Sequence, residues 1–310
     1  MSTSAPKIAV CPWDHPWAPK VIAAVERGGA LVTARAEEAQ ALIWLEKQGG
    51  SLRSVLHPGI QWVQLRGAGV DHWIATGEVD DARTFTSAKG AYARSVGEHA
   101  VALILAATRN LHVCIRADVW DSHAGQGRLL RGATVGIIGA GGIGQEVIRY
   151  LEPFGVRIVA VTRSGRDVPG ADVSVTATSL REYWGEMDFV VVLAPAVPST
   201  QHLVSDAELE AMPDHAWVIN LARGSLVDTD ALLRGLRTGR IAGAALDVTD
   251  PEPLPPDHEL WGEANVIITP HVANPSLEQD RLLADHVEEN VRRFVRGDEL
   301  IAVVDLELGY

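Results

Sequence analysis

The stretch that most constrains this chain is TVGIIGAGGIGQEVIRYL (134–151). An apolar, β-branched run enters a glycine-rich turn and a helical pattern leaves it. Gly139, Gly141 and Gly144 stand in the spacing G-x-G-x-x-G. In that context the first glycine permits a tight turn, the second lets a pyrophosphate approach the backbone, and the third lets helix and strand pack closely. The phosphates would meet the free N–H groups and positive dipole end of the helix, whose first turn holds Gly142 and Ile143. A bare strand–helix turn with no ligand is the competing reading, and the strand and helix on either side argue against it.

The rest of the chain repeats this alternation. KIAV (7–10), ALIWL (41–45) and QWVQL (61–65) read as strands, and APKVIAAVERGG (18–29) as a helix that stops at a glycine pair. GEHAVALILAATRNLHVCIRAD (97–118) is the longest helical pattern, apolar on most faces, and is expected to be buried between domains or subunits. A polar, Gly-rich connection (121–132) follows. Six strand-like runs then come at 133–139, 157–162, 188–193, 216–222, 241–246 and 265–269, with helical segments between most of them. Continuously apolar strands of this kind suit a parallel sheet covered on both faces. An amphipathic, charged helix is expected over roughly 276–296, and the tail IAVVDLEL reads as a possible returning strand. The pattern implies two α/β lobes, the first completed by the C-terminal tail.

Composition narrows the partners. The 310 residues include 27 basic and 40 acidic side chains, for a net charge of −13. That charge argues against bulk attraction to nucleic acid or to an anionic membrane, and it makes any basic cluster a local feature that calls for an explanation. No apolar run is long enough to span a bilayer and no leader-like segment opens the chain, so a cytoplasmic location is expected. Cys11 and Cys114 sit among apolar neighbours and read as buried, reduced thiols. Neither a disulfide nor a metal site is expected.

One basic cluster follows the second strand of the glycine-loop unit. RIVAVT ends in Thr162, and Arg163, Ser164, Gly165 and Arg166 come next. Folds of this type often end that strand in a carboxylate that holds both ribose hydroxyls and repels a 2′-phosphate. Thr162 removes the repulsion, and Arg163, Ser164 and Arg166 supply donors and positive charge for a phosphate. The competing readings are Asp167 as the displaced acid and a pair of arginines on a solvated turn. The cluster predicts NADP(H), with NAD(H) possible.

Ligands of open parallel sheets bind beyond the carboxyl ends of the strands. Ala194 stands at such an end, and Leu221 and Ala222 at another; all three are candidate cofactor contacts. Arg223 follows AWVINLA, Asp247 follows IAGAAL, Glu252 lies in the loop DVTDPEPLP, and His271 follows NVIITP. Each could be an ordinary surface or capping residue. Together on one sheet edge they suit the reduction of a 2-oxo acid. Arg223 can hold a carboxylate and polarise the adjacent carbonyl. His271 can give a proton to the new alkoxide, and Glu252 can orient the imidazole. The dinucleotide carries the hydride chemistry.

At this point the sequence resembles the D-isomer-specific 2-hydroxyacid dehydrogenases, most closely the glyoxylate/hydroxypyruvate reductases among them. The likeness covers nearly the whole chain, through RGAGVD (66–71), VGEHAVALILA (96–106), TVGIIGAGGIG (134–144), INLARGSLVDTDAL (219–232), GAALDVTDPEPLP (243–255) and ITPHVA (268–273). It implies an α/β, two-lobed fold, with a Rossmann-type doubly wound parallel sheet (97–275) and a flavodoxin-like substrate domain (1–96 with 276–310). It also implies Arg223 as substrate clamp, His271 as acid/base with Glu252 as its partner, and Asp247 at the nicotinamide carboxamide. Ala68 and Gly69 would bind the substrate carboxylate through their backbones, and Trp44 would line the substrate pocket unless it is simply a core tryptophan. The family is typically a homodimer with the active site in the cleft. The sequence departs from the pattern after His271, where many members carry a threonine and this chain reads ANPSLEQ. Two other readings stay open: an NAD-linked dehydrogenase for a bulkier 2-hydroxy acid, and a non-enzymatic dinucleotide-sensing protein of the same fold.

Overall fold

A computed structural model describes residues 5–47, 52–123 and 125–309. The chain divides into two units. One comprises the residues up to Tyr92 together with those from Pro275 onward, and the other is Ala93–Asn274.

The first unit begins with β1 (Lys7–Cys11), α1 (Ala18–Arg27), β2 (Leu31–Thr33), β3 (Ala41–Trp44), β4 (Trp62–Leu65), the short helix α2 (Asp71–Ala75) and β5 (Thr84–Thr86). The sheet order is β2-β1-β3-β4-β5 and every pairing is parallel. That is the flavodoxin-like doubly wound order, with the direction of winding reversing between β1 and β3. β3 and β4 are buried along their whole length because both sheet faces are covered.

The second unit opens with α3 (Ala93–Thr108) and α4 (Leu111–Arg116). The single helix expected over 97–118 is therefore two. Asn110 adopts a left-handed conformation with φ 48° and ψ 38° and breaks the run. In the single chain the second half is uncovered: Ile115 is 82% exposed, and Trp120, two residues beyond the expected helix, is fully exposed. Cys114 is exposed too, not buried as expected, and Cys11 is half-buried; neither forms a disulfide. The expected 121–132 connection includes residue 124, which lies outside the described residues.

After that segment come β6 (Thr134–Ile138), α5 (Gly142–Leu151), β7 (Arg157–Thr162), β8 (Val173–Thr176), β9 (Phe189–Val192), α6 (Asp206–Ala211), β10 (Trp217–Asn220), α7 (Thr229–Arg237), β11 (Gly243–Leu246) and β12 (Val266–Ile268). They form one parallel seven-stranded sheet, β12-β11-β10-β9-β6-β7-β8. Renumbered within the unit this is 3-2-1-4-5-6 with a seventh strand added, the Rossmann order. Two apolar clusters, one per sheet face, cover it. Val159, Val190, Val218 and Ala244 point into one, and Val135, Ile137, Val191 and Ile219 into the other.

α8 (Ser276–Arg296) returns to the first unit and packs on α1. Its Leu283, Val287 and Val291 are buried with Val21 and Val25 of α1. The tail beyond it makes no regular strand, contrary to the expectation. It forms one isolated antiparallel bridge, Val303 to Thr86, flanked by hydrogen bonds from Ser87 N to Ala302 O (2.9 Å) and Val304 N to Phe85 O (2.9 Å). Ala302 sits at φ 56°, which interrupts an extended run. A buried polar network holds the tail instead. Asn290 Nδ2 donates to Gln64 Oε1 (2.9 Å) and to Ile301 O (3.1 Å), while Ile301 N donates to Asn290 Oδ1 (2.8 Å). Thr86 Oγ1 receives Trp62 Nε1 (2.8 Å) and donates to Gln64 Oε1 (2.8 Å). Every member has a partner, so the network specifies how the tail docks.

A second buried polar group of α8 makes this unit sensitive to acid. His286 Nε2 lies 3.0 Å from Ser87 O. Burial pushes the imidazole below its ordinary value of 6.5, against the opposing pull of the Ser87 hydrogen bond. Below pH 6.5 the unfolded chain therefore takes up a proton on this ring more readily than the folded chain does. The resulting stabilisation is complete above pH 6.5 and falls as the pH drops below that value. His286→Gln keeps a donor toward Ser87 and removes the titration. Urea denaturation at about pH 7.5 and about pH 5.5 should show a smaller acid-side loss of stability in the variant than in the parent; equal losses would refute this account.

Candidate active site

All strands of the seven-stranded sheet run the same way, so their carboxyl ends share one edge. At the centre of that edge is the glycine turn between β6 and α5. Gly139 has φ +100°, and a Cβ there would stand 2.6 Å from the backbone nitrogen of Ala194, so a side chain is excluded twice over. Ala194, at the end of β9, thereby forms the wall of the turn. Gly139 N and Ala140 N donate to Val161 O (3.0 and 2.9 Å), which fixes the turn against the end of β7.

Gly141 differs from Gly139, because a Cβ there would meet nothing within 4 Å. No side chain caps the start of α5, whose first turn is Gly142, Ile143 and Gly144. The N–H groups of a first helical turn have no partner within the helix and carry the positive end of its dipole. Open space beside uncapped amides is the cradle that a dinucleotide pyrophosphate requires, so the residues present fit that group.

The end of β7 lies next to the turn. Thr162 Oγ1 is buried and has no hydrogen-bond partner among the described residues. Arg163, Ser164, Arg166 and Asp167 are exposed. The Arg166 Nη2 group reaches to 3.5 Å from Ala140 O in the glycine turn, and its Nη1 lies 3.4 Å from Asp167 O. Neither Arg163 nor Arg166 forms an ion pair with a described residue.

Three neighbouring strands, β10, β11 and β12, carry the remaining groups. β10 ends at Asn220, which is completely buried. Its side chain shapes the following loop: Oδ1 accepts Ala222 N (3.1 Å) and Nδ2 donates to Arg223 O (2.8 Å). Leu221 is buried beneath this loop and Ala222 is half-buried. Arg223 Nη1 donates to Ala222 O (2.8 Å). Gly224 must lack a side chain, because a Cβ would fall 2.0 Å from the carbonyl of Thr249. That close approach sets the Arg223 loop against the loop that leaves β11.

The β11 loop carries Glu252, and the β12 loop carries His271. The two meet: His271 Nδ1 lies 2.6 Å from Glu252 Oε1, and both side chains are partly open, 49% and 39% exposed. With Nδ1 engaged, Nε2 is the nitrogen left to exchange a proton with another molecule. His271 has φ 53°, a left-handed conformation that costs a non-glycine residue about 1 kcal/mol or more. Asp247 holds it there. The backbone amides of 271, 272 and 273 all end on this one residue: His271 N on Asp247 O (2.8 Å), Val272 N on Oδ1 (3.0 Å) and Ala273 N on Oδ2 (3.1 Å). Thr269 Oγ1 also donates to Oδ1 (2.7 Å). Asp247 is 3% exposed.

The structure thus brings together the glycine turn, Ala194, the Thr162–Arg166 cluster, the Arg223 loop, Asp247, Glu252 and His271 on one sheet edge. Trp44, Ala68 and Gly69 belong to the other unit. Trp44 closes β3, is 5% exposed, and buries an indole Nε1 with no partner among the described residues. Ala68 and Gly69 lie in the exposed loop after β4. Sequence reasoning missed Asn220 and Gly224, which shape the Arg223 loop. An asparagine ending an apolar strand run was the available signal for the first. A glycine needed only because a distant backbone passes close by leaves no local signal.

Residues 101–273 match the family described as D-isomer specific 2-hydroxyacid dehydrogenase, NAD binding domain. A Corynebacterium melassecola protein, described only as an uncharacterized protein in the proB 3′ region, is 38% identical over 260 residues, covering 82% of this chain and 85% of its own length. A glyoxylate reductase of Thermofilum pendens is 33% identical over 259 residues, covering 81% and 76%. Among solved structures, a D-isomer specific 2-hydroxyacid dehydrogenase from Xanthobacter autotrophicus Py2, in complex with NADPH and MES, aligns with a TM-score of 0.86 at 26% identity, over 99% of this chain and 100% of that one. The NADPH-dependent glyoxylate/hydroxypyruvate reductase of Sinorhizobium meliloti, in complex with NADP and sulfate, gives 0.79 at 27%, over 99% and 100%.

Proposed function

The chain belongs to the D-isomer specific 2-hydroxyacid dehydrogenase family and is an NAD(P)-dependent oxidoreductase, and from that premise we propose that it reduces a small 2-oxo acid of the glyoxylate/hydroxypyruvate type to the D-2-hydroxy acid, with NADPH the preferred donor. The observation that carries the reaction class is the 2.6 Å contact of His271 Nδ1 with Glu252 Oε1 on the sheet edge that holds the glycine turn. The glyoxylate reductases among the relatives support the substrate class.

A dinucleotide held at the glycine turn would supply the hydride. The chain's own residues do the rest. Arg223 holds the substrate carboxylate by charge-assisted hydrogen bonds and draws electron density from the adjacent carbonyl. His271 gives a proton from Nε2 to the carbonyl oxygen as negative charge develops there. Glu252 fixes the ring orientation through Nδ1 and stabilises the charge the imidazole carries before transfer. In the reverse direction the same Nε2 accepts the hydroxyl proton.

The cofactor preference is supported by Thr162, Arg163, Ser164 and Arg166. No carboxylate ends β7, so nothing there repels a 2′-phosphate, and Arg166 already reaches toward the glycine turn. Relatives solved with NADPH and with NADP carry the same implication. The free thiols Cys11 and Cys114 fit a reducing, cytoplasmic setting. No helix among the described residues is long and apolar enough to cross a membrane.

A homodimer completes the proposal. Leu111, Val113, Ile115, Val119, Trp120 and Leu129 all expose large apolar side chains within one short segment, and Trp120 is wholly exposed. Concentrated apolar exposure of this kind marks an association surface, and a second copy of this chain is the occupant we propose.

Four measurements test these points. A panel of 2-oxo acids assayed with NADPH and with NADH should give the higher kcat/KM with NADPH and small substrates. Arg163→Ala/Arg166→Ala should cut the NADPH value by about tenfold or more and spare the NADH value; equal values in the parent would overturn the preference. His271→Ala should lower kcat by about 100-fold or more while dinucleotide still binds, and near-normal turnover would remove His271 from the proton-transfer role. In sedimentation the parent should run as a dimer and Ile115→Asp/Trp120→Asp as a monomer; a monomeric parent would refute the association surface.

A further inference from the structure

The helix α3 reaches the catalytic loop at two points. Ser95 Oγ donates to Ala273 O (2.9 Å), and His99 Nε2 lies 3.0 Å from Thr269 Oγ1. The two side chains are four residues apart and so lie one above the other on a single helix face. Their contacts fall on either side of His271, one before it and one after it. Thr269 Oγ1 has a single proton and gives it to Asp247 Oδ1 (2.7 Å). His99 must therefore donate from Nε2, which fixes its tautomer. His99 Nε2 is also 3.6 Å from Asp247 Oδ1. The result is one connected chain, from His99 to Thr269 to Asp247, and from Asp247 to the three successive amides 271–273.

The same helix lies against the dinucleotide turn. A Cβ on Gly97 would stand 2.9 Å from Cβ of Glu146 on α5, so α3 and α5 approach closely there. Ala93 Cβ is 3.8 Å from the Cβ position of Gly142, in the first turn of α5. The seat proposed for the dinucleotide and the loop that carries the proton donor are thus referenced to one rigid element.

From this arrangement, and resting on the function proposed above, we propose that Ser95 and His99 are positioning residues: a splint on α3 that holds His271, through Thr269 and Asp247, in its left-handed conformation and in register with the dinucleotide seat. Neither side chain needs to touch substrate for this role. The need for it follows from His271 itself. A non-glycine residue at φ 53° persists only where its surroundings over-determine it, and a small misplacement of a reacting group costs much rate.

The test uses the full-length chain with His99→Phe, His99→Gln and Ser95→Ala. Phenylalanine keeps the ring shape and removes the donor, whereas the glutamine amide can still donate to Thr269 Oγ1. In the unliganded protein, hydrogen exchange at the amides of 271–273 should speed up in His99→Phe and Ser95→Ala and stay close to the parent in His99→Gln. With saturating NADPH and glyoxylate, kcat in His99→Phe should fall by about tenfold or more, with KM for glyoxylate changed by less than about threefold, and His99→Gln should recover most of the loss. Parent-like exchange and kcat in His99→Phe would overturn the splint, as would a loss of kcat that glutamine does not restore. Should His99→Phe fail to fold, the Ser95→Ala and His99→Gln pair decides by the same readings. A parent that reduces no 2-oxo acid would refute the proposed function instead, and the exchange measurement would still decide the splint.

Discussion

In the seven-stranded sheet every neighbouring pair of strands is parallel, and each connection must return across the sheet before the next strand begins. Both faces are therefore covered by apolar clusters, and the only places left for polar chemistry are the strand ends. Five strands, β6, β7, β9, β10 and β11, reach the edge in adjacent positions with β12 beside them. Their terminal loops hold the glycine turn, the arginine cluster, Ala194, Arg223, Glu252 and His271. The sheet does not perform the chemistry, but it brings residues far apart in sequence onto one line.

Loops at strand ends would be poorly fixed without further restraint, and two buried polar side chains supply it. Asn220 shapes the Arg223 loop with both its amide atoms, and Asp247 takes the amides that follow β12 with its carboxylate and its carbonyl. A buried polar group of this kind is costly unless fully partnered, and both residues are the last or next residue of a central strand, where such partners are concentrated. The carboxylate of Asp247 already accepts three donors from the loop after β12. Its principal task in this geometry is to hold the loop, and any contact with a nicotinamide carboxamide must use the lone-pair capacity that remains.

The central parts of both sheets were legible because their strands are continuously apolar, as strands covered on both faces must be. The strands that escaped notice are β2, β5 and β8, and all three lie at sheet edges. LVT and TFT are three residues long, and the four residues of VSVT are only half-buried. Short, mixed-polarity edge strands leave little periodicity to read. The opposite error came at 97–118, where apolar composition suggested one continuous helix and the structure has two. Hydropathy says that Ile115 and Trp120 avoid water but not what covers them, and in the isolated chain nothing does. At the site, Gly139 stood out by the spacing of the glycines, and Arg223, Glu252 and His271 by falling together beyond the ends of apolar strands. Gly224 did not, since its constraint is the backbone of Thr249, a contact made only in the fold.

The charge distribution bears on how the arginine cluster is to be understood. This is an acidic chain, and its arginines are mostly paired. Arg27 lies on Glu288, Arg157 on Glu186, Arg234 on Asp206, and Arg237 on Glu259 and Glu263. With acidic side chains in excess, an exposed guanidinium has many acids to pair with. Among the described residues Arg163 and Arg166 form no such pair, and the hydroxyl that ends the strand before them is itself buried without a partner. Two guanidiniums thus stand without a charged partner among the described residues, beside a turn open to phosphate. Under the proposed function, a 2′-phosphate would give the two exposed guanidiniums a charged partner at the end of β7, near which the adenine ribose of a dinucleotide sits in folds of this order.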